Sequence, residues 1–193
     1  MILALLVACQ ARVAVGDHVT ADVPAPDDFD AAARNATREL RLYTDGLTTA
    51  LLLRAAWLDA DYRGAIEAER AHRLLLEPAL RAERLAASLA EEQTTYTFVF
   101  SADSQFRDDL SFGFGEETPW RLRLFADGRP CTPMAIEPFE PTALDLRLYP
   151  FHTRWSTLWN ARFARDCGTG PLVLQVTGPR GTGELGWRTR AGE

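Results

Sequence analysis

The chain has 193 residues and a formal net charge of −6, with 47% hydrophobic and 25% charged side chains, the balance of a globular protein that buries the core of one or two small domains. All 21 basic residues are arginine, which excludes a Walker-A phosphate loop, Schiff-base catalysis and a Ser-Lys dyad. Residues 10–93 hold ten Arg against fifteen acids and residues 94–193 eleven against twelve, so neither half is a basic nucleic-acid binder.

The chain opens on an apolar run, Met1 to Ala8, that ends at Cys9. The run is too short to span a bilayer, which takes about 20 residues. No Arg or Lys precedes it, whereas a secretory signal normally begins with a basic region. Leu6-Val7-Ala8-Cys9, with small Ala8 at the position a signal peptidase must admit, resembles the lipobox of bacterial lipoproteins. The resemblance implies a signal peptide over 1–8, lipidation of Cys9 and a place in the bacterial cell envelope, facing the periplasm or the cell surface. The membrane would then be a partner through the lipid anchor. With Cys9 so used, Cys131 and Cys167 remain as a pair in an oxidising compartment, where a disulfide is the expected state. A bridge closing a loop of about 35 residues stabilises a domain by about 3–4 kcal/mol in the chain-entropy account. Zinc held by Cys131, Cys167 and His152 is the competing use, and it lacks a fourth ligand and any C-x2-C spacing.

Gln10 to Pro26 shows no period and reads as part of a tether, residues 9–27, between the anchor and the first helix. From Asp27 the apolar spacing turns helical: Phe29, Ala32, Ala33, Ala36, Leu40 and Tyr43 recur three and four apart, until Gly46 ends the pattern. Leu47, Leu51, Leu52, Ala55 and Leu58 predict a second helix. Asp59 can cap a third, carrying Tyr62, Ile66, Ala68 and Leu75, and Pro78 suits the first turn of a fourth that runs to Glu92. Residues 28–92 are therefore expected to form a segment of three or four helices.

Near Thr94 the period changes to two. Strands are predicted at Thr95–Phe100, Leu110–Phe114, Trp120–Phe125, Pro133–Glu137, Leu144–Tyr149, Thr157–Phe163, Leu172–Thr177 and Glu184–Arg188, and Asp127-Gly128 is a hairpin turn signal. The whole is expected to be an α+β protein in which the helices precede an antiparallel immunoglobulin-like β-sandwich over 94–190.

The motifs that spell chemistry mostly lack their context. Gly181-x-Gly183-x-x-Gly186 matches a dinucleotide fingerprint, yet seven residues follow it where a helix and an acid about 20 positions on are required. Asp59-x-Asp61 begins like a calcium loop but has Arg63 and Arg70 at the fifth and twelfth positions. His18, His72 and His152 are scattered, and the acid pairs Glu91-Glu92, Asp108-Asp109 and Glu116-Glu117 read as turns or element ends. Asn35-Ala36-Thr37 fits a glycosylation sequon inside a predicted helix. Ser156 and Asp145 flank His152 without the glycines of a nucleophile elbow. No catalytic residue, metal site or cofactor is assigned on these grounds.

One aromatic concentration remains, and Tyr149, Phe151, His152, Arg154, Trp155 and Trp159 are its candidate binding residues. Trp, Tyr and Arg anchor interfaces, and aromatic faces stack on sugars. The sequence thus leads to a non-enzymatic envelope lipoprotein with a structural or protein-interaction role. A glycan- or ligand-binding module built on 149–159 is the second reading, and a metal-dependent or hydrolytic enzyme the third.

Overall fold

The structure, a computed structural model, describes residues 26–44 and 48–188. Cys9, His18, the signal-like run, the tether before Pro26 and residues 45–47 and 189–193 lie outside the described residues.

The chain starts with α1 (Pro26–Ala36), then passes into β1 (Thr37–Tyr43) and β2 (Thr49–Trp57). Here the expected first two helices are corrected: residues 37–43 and 49–57 form an antiparallel hairpin, with Leu40 opposite Leu53 and Leu42 opposite Leu51. The helical reading of β2 failed because the strand is covered on both sides, so its apolar residues run on without the alternation that marks a half-buried strand.

Two helices follow as predicted. α2 (Ala60–Leu74) starts on Asp59, whose carboxylate accepts the Tyr62 N–H at 2.8 Å, and α3 (Pro78–Thr94) has its proline in the first turn. Next come β3 (Thr95–Asp103), a 3₁₀ turn at Arg107–Asp109, β4 (Phe112–Gly113), β5 (Trp120–Ala126), β6 (Arg129–Pro130) and β7 (Pro133–Phe139). Asp127 and Gly128 join β5 to β6 with φ of 49° and 75°, the left-handed pair that a tight hairpin turn demands.

A second correction falls at 144–149, expected as a strand. It is α4 (Ala143–Leu148), because Thr142 and Asp145 close a reciprocal cap: the Thr142 N–H and hydroxyl donate to the Asp145 carboxylate while Thr142 Oγ1 accepts the Asp145 N–H. β8 (Thr157–Ala164), β9 (Leu172–Gly178) and β10 (Gly181–Trp187) complete the fold, the glycine triplet lying along β10 as a strand.

The strands make two sheets, β1-β2-β3-β8-β7 and β10-β9-β5-β4, with β6 on the side of β5. Their facing sides share one core: Leu53, Phe98, Phe100, Trp159 and Phe163 from the first meet Trp120, Leu122, Leu174 and Trp187 from the second. Close packing fixes Gly178, where a Cβ would collide with the Trp120 ring. The other face of the first sheet carries the helices, through a separate core of Phe29, Ala33, Tyr62, Ile66, Val99, Leu148 and Leu158. The protein is thus α+β in three layers, helices on sheet on sheet.

This order departs from the expected immunoglobulin-like sandwich, whose two sheets carry neither an added N-terminal hairpin nor a helical layer. The boundary expected near residue 93 is no boundary of the fold either, since β2 pairs with β3 across it, Trp57 opposite Phe98. Helices and strands belong to one structure.

Candidate functional site

The stretch 149–159 leaves α4, turns and enters β8, and its aromatics divide between the two cores and solvent. Tyr149 and Phe151 are buried in the helical layer, with Phe139 edge-on to Tyr149 at 6.3 Å between ring centroids. Burial pushes the Tyr149 hydroxyl up to about 12. Trp159 points between the sheets, stacked on Phe100 at 6.1 Å and meeting Phe112 edge-on at 5.2 Å. Only Trp155 faces solvent, 58% exposed, with the Arg154 guanidinium 4.4 Å from its ring centroid. Of the six candidate binding residues, then, three are core plugs, and Arg154 and Trp155 form a small surface pair.

His152 is half-buried beside them, and burial lowers its pKa from the ordinary histidine value. Its Nδ1 lies 3.1 Å from Ser156 Oγ, which would be the first link of a hydrolytic triad. The second link is missing. Asp145 is committed to the cap of α4, and the Ser156 hydroxyl donates to the Thr153 carbonyl at 3.0 Å while accepting the Thr153 N–H at the same distance. The pair holds a turn.

Cys131 and Cys167 are bridged, with Cα atoms 4.7 Å apart, inside the range a disulfide requires. Both are buried in the core between the sheets, and the bridge ties the start of β7 to the loop after β8. Thr132 reinforces this junction by donating its N–H and hydroxyl to the Asp166 carboxylate, which holds that carboxyl below its usual range. The bridge consumes both thiolates that a zinc site with His152 would have needed.

Below the junction a cleft of 1310 Å³ opens between α1, the start of α2, the β5–β6 turn and the loop Cys167–Pro171. Arg38, Arg129, Arg165 and Arg188 line it together with Asp28, Asp59, Asp61, Glu92 and Asp127, so its walls are polar and of mixed sign. Trp57 forms part of the wall, and its indole N–H has no hydrogen-bond partner among the described residues. Arg38 is tied down, donating to the Gly186, Asn35 and Thr37 carbonyls, and Arg165 donates to the Glu92 carbonyl at 2.7 Å. The cleft was not legible in the sequence, because its residues come from six separate segments.

No protein-family model and no curated protein sequence matches the chain.

The remaining buried charges are structural. Arg63, almost fully buried, donates to the Leu58 carbonyl at 2.8 Å, the Ser88 hydroxyl at 3.0 Å and the Glu91 carboxylate at 3.1 Å. Glu67 pairs with Arg70 and with Arg84, and Glu69 with Arg73 and Arg147. Such groups, once buried, need partners; Glu67 and Glu69 have theirs within the fold, while the Nη2 of Arg63 has none among the described residues. His72 is exposed near the end of α2.

Proposed function

We propose that the chain is a bacterial envelope lipoprotein, held to the membrane through Cys9, whose folded part acts in a structural or protein-interaction role. The observation that carries this reading is the buried Cys131–Cys167 bridge, because disulfides persist in oxidising compartments such as the envelope. With those two cysteines paired, Cys9 is the third and odd one, at the place where lipidation would use it. The commitment of Asp145, Ser156, Glu67 and Glu69 to caps, turns and ion pairs supports binding over catalysis. The mixed-charge cleft beside the bridge supplies a surface for a polar partner.

A second reading keeps the glycan- or ligand-binding role but confines it to Trp155 and Arg154. Its specific support is the exposed indole with a guanidinium against one face.

The test of the first reading is the mass of the N-terminal peptide of native protein and its membrane partitioning. An acylated Cys9, and release of Cys9→Ser into the soluble fraction, are the expected results. Equal partitioning of the two proteins rejects the anchor. For the second reading, Trp155→Ala should abolish a fluorescence response to envelope glycans without lowering stability.

A further inference from the structure

The open end of the sandwich, where the cleft lies, holds donors that have no acceptors. Arg38 stands opposite Ala55 in the β1–β2 hairpin, and Trp57 follows two residues further along β2 on the face turned toward the second sheet. The two are therefore diagonal neighbours, a spacing that long and aromatic side chains bridge. Each flank of Trp57 carries a guanidinium held over a ring. Arg38 lies 5.9 Å from the Trp187 centroid, and Arg165 lies 5.0 Å from that of Tyr96, which meets Trp57 edge-on at 6.2 Å.

Both guanidiniums are fixed before anything binds, and neither is fully used. Among the described residues Arg38 bonds through Nε and Nη1 alone, to carbonyls, and Arg165 through Nη1 alone, to Glu92. Their remaining nitrogens are open to solvent, whereas the Trp57 Nε1 is closed off and unpaired. An orphaned buried donor is a cost that is relieved when an acceptor enters beside it. The donor set calls for oxygen acceptors, and the planar guanidinium fork matches a carboxylate.

The balance of charge says what else the ligand carries. The lining holds four arginines and five acids, so it is close to neutral and gives a simple anion no long-range attraction. The charges are sorted by wall instead. α1 and the start of α2 contribute Asp28, Asp59 and Asp61 and no arginine, while all four arginines come from the strands and their loops. Of the two other acids, Glu92 is engaged by Arg165 at 3.5 Å, and Asp127 stands at the tip of the β5–β6 turn. Asp59 caps α2, and Asp28 and Asp61 are exposed on the rim. A cleft polarised in this way takes a ligand of both signs, with its carboxylate on the strand side and its ammonium at the helices. The volume of 1310 Å³ exceeds the roughly 300–1000 Å³ of common small-molecule pockets and leaves room for several residues of peptide.

We propose that this cleft binds a short zwitterionic peptide, its carboxylate on Arg38, Arg165 and Trp57 and its ammonium toward Asp28 and Asp61. This rests on the interaction role proposed above, whose partner it names by chemistry, and it does not depend on the anchor.

The full chain carrying Cys9→Ser, isotope-labelled at the nitrogens of its five tryptophans, is titrated with trialanine, trialanine amide and N-acetyltrialanine and followed by nuclear magnetic resonance. Trialanine should move the Trp57 indole signal saturably, that signal being the one lost in Trp57→Phe. Amidation and N-acetylation should each weaken binding roughly tenfold, the loss of one charge-assisted contact. By calorimetry, Trp57→Phe should weaken trialanine binding without lowering the thermal midpoint, since the N–H removed has no partner among the described residues. Asp28→Asn should weaken trialanine and leave N-acetyltrialanine unchanged. The proposal is overturned if no peptide moves the Trp57 signal, if either capped peptide binds as tightly as trialanine, or if Trp57→Phe lowers the midpoint and spares binding. A shift confined to Trp155 equally overturns it, for the interaction then belongs to 149–159. Absence of an acyl group on native Cys9 would remove the anchored reading and leave this measurement standing.

Discussion

The Trp187 indole N–H donates to the Ala36 carbonyl at 2.6 Å, joining the last strand to the end of the first helix across 151 residues of chain. This single bond closes one side of the sandwich, where β1 and β10 run beside each other and the Arg38 guanidinium donates to Gly186 at 3.0 Å. Trp187→Phe keeps most of the ring and leaves a buried carbonyl without its donor. It should cost about 1–3 kcal/mol of stability, measured by chemical denaturation. An unchanged midpoint would mean that water replaces the indole.

Reduction should loosen the other end. The Cys131–Cys167 bridge spans 36 positions, so a Cys131→Ala/Cys167→Ala double variant should lose about 3–4 kcal/mol. Oxidised protein should show no reactive thiol from either residue, and thiol titration of the unfolded chain before and after reductant checks it.

Acid should weaken the helical layer through Glu69. Burial raises the pKa of its carboxyl, yet the hydrogen bonds from Arg147 and Arg73 outweigh it and the net shift is downward. Because the folded value lies below the unfolded one, the stabilisation is fully present above about pH 4.5 and is lost as pH falls through the folded value. Glu69→Gln should therefore flatten the acid limb of the stability profile. Parallel profiles for wild type and Glu69→Gln would contradict the assignment.

The two tryptophans of the aromatic stretch should part company. Trp159→Ala empties a site between the sheets and should cost about 3–5 kcal/mol, whereas Trp155→Ala removes a solvent-facing ring and should stay within about 0.5 kcal/mol. Thermal and denaturant midpoints of the two variants compare them directly. Similar losses in both would place Trp155 in the core.

What the sequence disclosed follows from how each element is covered. β5, with Trp120, Leu122 and Leu124 inward and Arg121 and Arg123 outward, has one solvated face and was legible as a strand. α2 and α3 were marked by Asp59 and Pro78. β1 and β2 were misread because Ala36, Leu40 and Tyr43 also fall at helical spacing, and Leu51-Leu52-Leu53 offers no alternation. Asp45-Gly46 between them is the same turn signal as Asp127-Gly128 and would have argued for a hairpin. Leu144, Leu146 and Leu148 alternate as a strand would, and only the Thr142–Asp145 cap spacing spoke for α4. Within 149–159 composition identified the aromatics but not their partners, since burial of Trp159 depends on Phe100 and Phe112, distant in the chain.

The pairing of β2 with β3 bears on how this protein tolerates being cut. A fragment starting at residue 94 would carry β3, Thr95 to Asp103, with Tyr96, Phe98, Val99 and Phe100 all buried in the intact fold, and would leave one side of its backbone without a neighbour. An unpaired strand that is apolar on both faces recruits copies of itself. Such a fragment should be recovered as insoluble aggregate, however complete the strands that follow it, and adding back residues 26–93 in the same chain should restore solubility. The helices and the N-terminal hairpin thus act as an intramolecular guard against fibrillar association.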